Sequence, residues 1–345
     1  MPELEARDKA ALGLISNAEE LGNFMQIMLN DGWYQKTSVL KLAIVNSLIR
    51  QQNRNVKLDL EKKVGFGWRL SGIRLNGVKK IAWRFGATPA HRSRMIMLPE
   101  YGLGIVLLSN SSQSYEALEE ISKGMLELVL KHRYKIEPYD TKYFASKVEY
   151  ETPVQFASAY STYMGLITLS KKQQKILADV MGWTFRLVPR ENGWYSLTYD
   201  LLGFIPLNLE WIARTLVRPA VIQGESVLIA EYEGEHYLFG QQFEAIPVSE
   251  SWRKRFGEYR IRNADTVLQQ LELETGRLLV HNGFLVFEYR LPVWIPLYLY
   301  LPLEVVSEAR LKVPGLGSGF NAYIDLVGAE KPVLRYSGYE LEQLP

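Results

Sequence analysis

Apolar residues recur with helical spacing at several places in the first 133 residues. The first run follows a Ser-x-x-Glu capping box at Ser16 and Glu19, and its members are Leu21, Phe24, Met25 and Met28. A second helix is predicted over residues 39–49, with Ser38 as its cap. A third is predicted over residues 115–132, and its apolar side consists of Leu118, Ile121, Met125, Leu128 and Val129. We expect each apolar side to face the core.

Short apolar runs between the second and third helices predict β-strands at residues 66–70, 80–83, 93–98 and 103–108. The run at 103–108 is apolar throughout, which is typical of a strand buried on both faces. A Pro-Glu-Tyr-Gly turn separates the last two strands. Antiparallel strands with helices before and after them predict a layered α/β sandwich.

The pattern changes after residue 133. Residues 134–153 have no clear period and are interpreted as a linker. Residues 154–345 carry many short aromatic and β-branched runs, apart from one predicted helix at 171–181. A weak similarity between residues 185–195 and 271–278 divides this region into 154–250 and 251–345, two related halves that are each a small barrel or sandwich. The predicted fold class is therefore α+β, with a partial α/β sandwich at 1–133 followed by a β-rich region.

Composition excludes several classes of function. The 40 Lys and Arg nearly balance 38 Asp and Glu, and no basic stripe is visible, so nucleic acid is not an expected partner. There is no Cys, and no two of the four His have helical i, i+4 spacing, so no disulfide, metal or other cofactor is expected. No apolar run reaches the roughly 20 residues of a transmembrane helix. The charged amino terminus is unlike a signal peptide, and a chain made as written is expected in the cytoplasm.

Three segments carry motifs. Residues 11–21 are Ala-Leu-Gly-Leu-Ile-Ser-Asn-Ala-Glu-Glu-Leu, and residues 65–68 are Gly-Phe-Gly-Trp. Residues 84–93 are Arg-Phe-Gly-Ala-Thr-Pro-Ala-His-Arg-Ser, followed by Leu-Pro-Glu at 98–100 and a glycine-bearing apolar strand that ends near Asn110. In this order and spacing they resemble the carboxyl-terminal part of the catalytic domain of the serine β-lactamase-related hydrolases. That superfamily includes class C β-lactamases, D-alanyl-D-alanine carboxypeptidases and related esterases.

The resemblance implies three catalytic motifs, of which one has a counterpart. Such enzymes use a Ser-x-x-Lys nucleophile, a Tyr-x-Asn or Ser-x-Asn relay, and a strand that lends a cation and a backbone N–H to the oxyanion hole. The resemblance places this strand at Arg84, where the family has His or Lys, with Gly86, Ala87 as the N–H donor, and Thr88. Arginine keeps the cation but cannot serve as a titrating base. His91 stands where Phe or Tyr is usual and is interpreted as a surface or packing residue.

Ser38 and Lys41 also have Ser-x-x-Lys spacing and form the alternative nucleophile pair. They follow the acidic helix, whereas the family's nucleophile precedes it, so we interpret Ser38 as a helix cap. No relay motif precedes that helix either. The acidic residues Glu116, Glu119 and Glu120 are interpreted as a solvated helix face.

These motifs predict an incomplete serine hydrolase of penicillin-binding-protein type: a truncated, split or degraded relative. Its parent would transfer the acyl group of a small amide, a small ester or a peptidoglycan-like peptide, often in the periplasm or envelope. We expect this chain alone to be inactive, and a separate amino-terminal half or another protomer to be its partner. The β-rich region resembles the lipocalin-like or barrel domains that the family appends, and its aromatic residues are expected to fill a core. The alternative is a non-catalytic binding or scaffolding protein that uses this region for an apolar ligand or a protein partner.

Overall fold

The computed structural model describes residues 13–138, 155–201, 205–207, 215–232, 235–291, 297–316, 320–328 and 332–345. The chain divides into two compact units, one within Asp8–Ser146 and one within Lys147–Pro345. We call them the amino-terminal unit and the carboxyl-terminal unit. None of the helices in the described ranges is long and apolar enough to cross a membrane.

The amino-terminal unit contains a three-stranded antiparallel sheet with helices on both faces. Its helices are α1 (Ala18–Leu29), α2 (Leu42–Leu48) and α3 (Tyr115–Tyr134), and 3-10 turns lie at Lys57–Asp59 and Pro99–Tyr101. Its strands are β1 (Trp33–Tyr34), β2 (Thr37–Ser38), β3 (Ala82–Ala87), β4 (Arg92–Leu98) and β5 (Leu103–Ser109). The sheet has the order β3-β4-β5, and β1 and β2 form a separate small hairpin.

Side chains alternate between the two faces of this sheet and give it two apolar layers. Trp83 and Ile96 pack with the buried side of α3 on one face. Ala82 and Met97 pack with α1 and α2 on the other face. The strands predicted at 93–98 and 103–108 are confirmed as β4 and β5, and so is the layered α/β arrangement. The strand predicted at 80–83 overlaps β3 only at Ala82 and Trp83, because β3 begins at Ala82 and continues to Ala87.

Two predicted helix starts are wrong in detail. Asn17, not Ser16, caps α1, because its side chain accepts a hydrogen bond of 2.9 Å from the backbone N–H of Glu20. The Ser16 hydroxyl instead donates to the Glu20 carboxylate at 3.0 Å. Ser38 lies in β2, and Lys41 occupies the cap position of α2. The backbone therefore enters α2 three residues later than the sequence pattern implies.

The predicted burial of α3 and β5 is also wrong in part. The residues that α3 buries are Leu118, Ser122, Leu126 and Leu130. Its exposed apolar residues, with their exposed fractions, are Ile121 (49%), Met125 (51%), Leu128 (57%) and Val129 (38%). β5 is not buried on both faces, since Leu108 is 42% exposed. The run at 66–70 is not a strand either, because only Arg69 forms isolated bridges there.

The first half of the carboxyl-terminal unit is a closed antiparallel barrel. Its strands are β6 (Ala159–Thr162), β7 (Gly165–Lys172), β8 (Lys175–Val180), β9 (Trp183–Pro189), β10 (Tyr195–Leu201), β11 (Ile205–Leu207), β12 (Thr215–Ile222), β13 (Glu225–Tyr232) and β14 (Glu235–Gln242). The ring runs β10-β12-β13-β14-β6-β7-β8-β9 and closes because β9 pairs back to β10. β11 pairs with β10 as an addition to the ring.

The second half is another antiparallel barrel. Its elements are α4 (Glu250–Arg253), β15 (Gly257–Ile261), α5 (Thr266–Gln270), β16 (Thr275–His281), β17 (Phe284–Leu291), β18 (Leu297–Pro302), β19 (Glu304–Ser307), β20 (Arg310–Lys312), β21 (Tyr323–Val327), β22 (Val333–Tyr336) and β23 (Tyr339–Gln343). The sheet order is β18-β17-β16-β15-β23-β22-β21-β20-β19. β18 and β19 meet at Leu303, so one bent strand pairs with β17 and then with β20 and brings the two ends of the sheet together.

The helix predicted at 171–181 is wrong, because these residues form the β7–β8 hairpin. Gln173 and Gln174 at the turn have φ angles of 46° and 64°. Two consecutive left-handed residues are typical of a type I′ hairpin turn, whose twist matches that of the flanking strands. Beyond the turn, Ala178 and Val180 alternate into the barrel core, which is the period of a strand.

The α+β fold class, with a β-lactamase-like part followed by a barrel region, is confirmed. Each barrel has an apolar core, with Phe185 and Leu187 among the buried residues of the first and Phe287 and Leu311 among those of the second. Trp252 of α4 is fully buried in the second core, and its indole N–H donates to the carbonyl of Ser307 at 2.8 Å.

Candidate functional site

The edge of β3 that faces away from β4 carries the counterpart of the family's third motif. Trp83 and Arg69 exchange backbone hydrogen bonds of 2.9 and 3.0 Å, so the N–H of Trp83 points away from β4. Alternation along an antiparallel strand then points the N–H of Ala87 to the same outer side. Arg84 is exposed and lies two residues after Ala82, on the face of the sheet that carries α1. Arg84 and Ala87 therefore offer a cation and a backbone donor on one strand.

Gly86 has a packing role that the motif does not reveal. It pairs with Ser93 across the β3–β4 ladder. A Cβ built on Gly86 would lie 2.5 Å from the hydroxyl oxygen of Ser93, closer than real Cβ contacts come. Glycine at this position therefore leaves room for the Ser93 hydroxyl, and it leaves the sheet face that carries Arg84 without a side chain beside Ala87.

Thr88 and His91 form the tight turn between β3 and β4. The N–H of Thr88 donates to the carbonyl of His91 at 3.0 Å, and the N–H of His91 donates to the Thr88 hydroxyl at 3.0 Å. The guanidinium of Arg92 donates to the carbonyls of both turn residues. The Thr88 hydroxyl is thus an acceptor that closes a turn. His91 is exposed, in keeping with its interpretation as a surface residue.

Glu100 of the Leu-Pro-Glu segment holds the chain that leads into β3. Its carboxylate accepts hydrogen bonds from the backbone N–H groups of Lys79 and Lys80, at 2.9 and 3.1 Å. Tyr101, the next residue, donates its hydroxyl to the carbonyl of Gly77 at 2.7 Å. The sequence analysis did not predict this role of Glu100, although it identified the Leu-Pro-Glu motif. The segment places the start of β3 and hence Arg84.

A buried arginine lies under the sheet beside the site. Arg94 of β4 is 4% exposed, and its guanidinium lies 5.0 Å from the ring centre of Trp83. The carboxylate of Glu119 on α3 lies 3.6 Å from it. One acid of the cluster that the sequence assigned to a solvated face therefore balances a buried charge, since a buried cation needs a partner. Sequence reasoning did not single out Arg94.

The alternative nucleophile pair lies away from this strand in the chain and on different elements. Ser38 is exposed in the β1–β2 hairpin, where it pairs with Trp33. Lys41 is exposed at the start of α2. Whether Ser38 and Lys41 act as a pair stays a prediction, as do the roles of Arg84, Gly86, Ala87 and Thr88. Within the described residues, no group of three or more His, Asp or Glu side chains is placed to hold a metal ion.

A β-lactamase family model matches residues 1–129. This part of the chain is therefore similar to the β-lactamase family, in agreement with the motifs at residues 11–21, 65–68 and 84–93. A search of curated proteins gave no match.

Solved structures similar to this chain include SurE, with 14% sequence identity and a TM-score of 0.44, covering 66% of this chain and 48% of SurE. SurE with D-Leu has 15% identity and a TM-score of 0.43, covering 66% of this chain and 50% of that chain. The octameric penicillin-binding protein homologue from Pyrococcus abyssi has 12% identity and a TM-score of 0.29, covering 63% and 45%. The chain thus spans about half the length of the solved structures that it matches.

Proposed function

We propose that this chain supplies the oxyanion-hole strand of a serine hydrolase of β-lactamase type, and that it does not hydrolyse substrate by itself. The observation that carries the proposal is the outer edge of β3, where the outward N–H of Ala87 follows the exposed cation of Arg84. Substrates of this class are small amides, esters or peptidoglycan-like peptides.

The chemistry assigned to this edge is binding of a developing negative charge. When a serine oxygen attacks an acyl carbon, the carbonyl oxygen becomes an oxyanion, and a fixed backbone N–H stabilises it. The C–N or C–O bond to the leaving group then breaks, and the leaving group needs a proton. Arg84 can attract an anionic substrate group but is not suited to deliver that proton, because a guanidinium acts in proteins as a permanent cation. The reaction therefore also needs a nucleophile and a proton relay, which this strand does not supply.

Labelling with a fluorescent penicillin tests this proposal. The purified chain should show no covalent label on a denaturing gel, while an active penicillin-binding protein treated in parallel is labelled. Ser38→Ala is the matched variant for the alternative nucleophile. Label on the wild-type chain that disappears in Ser38→Ala would refute the proposal and identify Ser38 as the nucleophile.

A second candidate function, scaffolding by the carboxyl-terminal unit, is supported by its packing. Ala159 and Phe243 of the first barrel share a buried cluster with Phe284 and Val286 of the second. The hydroxyl of Ser161 is also buried, and it donates to the carbonyl of Pro314 at 2.6 Å. Two barrels fixed to each other in this way make a rigid platform. A thermal-shift screen with fatty acids and peptidoglycan fragments tests it: scaffolding predicts no shift, and a saturable shift would instead indicate a ligand-binding barrel.

A further inference from the structure

A narrow cleft lies on the α3 face of the amino-terminal sheet, next to the first turn of α3. It is lined by Phe85 of β3, Arg92 and Arg94 of β4, and Tyr115 and Leu118 of α3. The ring of Tyr115 meets that of Phe85 edge to face, with ring centres 5.9 Å apart, and the cleft is too narrow to enclose a ligand while Tyr115 lies there. Tyr115 is 43% exposed, so its side chain can rotate into solvent without a change of the backbone. Arg84 lies on the other face of the sheet, so this cleft is separate from the candidate site.

Arg94 forms the buried wall of the cleft and has a hydrogen-bond donor that the described residues do not use. Its side chain is 4% exposed, and its Nε–H has no acceptor within the described ranges. A carboxylate oxygen of Glu119 lies 3.6 Å from Nη1 of Arg94, which is an ion pair but longer than a hydrogen bond. Leaving a buried charged group without hydrogen bonds is unfavourable. An oxyanion in the cleft would supply the acceptors that Arg94 lacks.

Two more arginines give the surroundings of the cleft an excess of positive charge. The guanidinium of Arg69 lies 5.0 Å from the ring centre of Trp83, and that of Arg94 lies 5.0 Å from the same ring. Arg92 lines the cleft and donates from Nη1 to two carbonyls of the β3–β4 turn. Neither Arg69 nor Arg92 forms an ion pair with a described acid, so three guanidinium groups are balanced by the single carboxylate of Glu119. This excess of positive charge favours a dianionic ligand over a singly charged one.

We propose that this cleft binds the phosphate group of a small ligand. Arg94 and Arg92 donate hydrogen bonds to the phosphate oxygens, and Arg69 adds attraction at longer range. A phosphate has enough acceptor oxygens for two guanidinium groups, whose planar forks match its geometry. Tyr115 rotates away from Phe85 to admit the ligand. Glu119 competes with the ligand for Arg94, because both are anionic. The site is a binding site only, and no bond of the ligand is made or broken there.

Equilibrium dialysis of the full chain against radiolabelled inorganic phosphate, at neutral pH and constant ionic strength, tests this proposal. We expect one saturable site per chain, and acetate should compete at least about tenfold less well than unlabelled phosphate because it carries a single charge. Arg94→Gln should weaken binding by about tenfold or more, as expected for the loss of hydrogen bonds to a charged group. Arg92→Gln changes a partly exposed side chain, so it serves where Arg94→Gln does not fold, and it should weaken binding by about threefold or more.

Glu119→Gln separates a ligand site from a purely structural ion pair. Removal of a competing carboxylate should tighten phosphate binding by about threefold or more, whereas loss of a structural pair gives no reason for tighter binding. Glu120→Gln removes the same charge from the next residue of α3, which is exposed, and should leave affinity within about twofold.

Three results would each overturn the proposal. The first is that phosphate does not saturate a site on the wild-type chain. The second is that acetate competes as well as phosphate. The third is that Glu119→Gln and Glu120→Gln bind phosphate equally well. Saturable binding that Arg92→Gln leaves unchanged would show an adventitious ion only and would overturn it too.

Discussion

Removing the Glu100 carboxylate should loosen the entry to β3 and with it the candidate site. In Glu100→Ala, the backbone N–H groups of Lys79 and Lys80 lose an acceptor that now lies 2.9 and 3.1 Å away. Hydrogen bonds to a charged group contribute about 1.5–3 kcal/mol each when they are shielded from water. Glu100 is exposed, so water replaces much of this interaction. We therefore expect a total loss of about 1–3 kcal/mol for the two bonds together.

Hydrogen exchange of peptides from β3 and β4 is the suitable assay, because it reports on the amino-terminal unit alone. A loss of about 1.4 kcal/mol corresponds to tenfold faster exchange through unfolding of the unit. Both N–H groups donate to the same carboxylate oxygen, so Glu100→Gln can keep both hydrogen bonds without the charge and should lose about half as much. Glu120→Ala, an exposed acid on α3, is the matched control and should change stability by less than about 0.5 kcal/mol. Equal exchange rates in Glu100→Ala and Glu120→Ala would show that Glu100 does not hold this loop.

Three further changes test the packing and titration of the molecule. Trp252→Ala should destabilise the second barrel by about 3–5 kcal/mol in denaturant unfolding, and Trp252→Phe by much less; equal losses would contradict the described packing. Gly104→Val should displace α1, and Met25→Ala should partly rescue it; strictly additive unfolding energies would exclude this contact. Burial raises the pKa of the Tyr259 hydroxyl from 10.0 to about 12, although nearby Arg255 lowers it. The folded state therefore holds this proton more tightly, so its stabilising contribution is complete below pH 10 and is lost as the pH rises through about 12. Tyr259→Phe should lessen alkaline destabilisation in melting curves recorded against pH, and an unchanged profile would refute this.

The three strands of the amino-terminal sheet were predictable because each contains a short apolar run near turn residues, although β3 also carries Arg84 and β4 carries Arg92 and Arg94. The orientation of α3 was not. Leu118, Leu126 and Leu130 are buried, while Ile121 and Met125 are equally apolar and exposed. The apolar period predicts the helix, but α3 has two neighbouring apolar sides. Only packing against the sheet determines which of the two is buried. The helix predicted at 171–181 failed because Lys and Gln favour helices locally, whereas barrel closure requires a hairpin there.

The sequence predicts those residues of the candidate site that belong to a motif. It does not predict the contacts that form only when distant parts of the chain come together. Arg84 and Gly86 follow from the spelling of the strand. The partner of Gly86 is Ser93, across the ladder, and the partners of Glu100 lie about 20 residues earlier in the chain. The turn role of Thr88 depends on the short distance to His91, which only the hairpin sets. These contacts form where the chain reverses direction, so they cannot be predicted from the order of residues in the sequence.

Each barrel begins and ends on neighbouring strands. β6 pairs with β14, where Thr162 faces Gly240, and β15 pairs with β23, where Tyr259 faces Gln343. Entry and exit of the chain are therefore about one strand spacing apart, close to 5 Å. A gene segment that encodes such a barrel can be duplicated, removed or inserted in frame without stretching the flanking polypeptide. Circular permutation of either barrel needs only a short linker, so this architecture is suited to growth by tandem repetition.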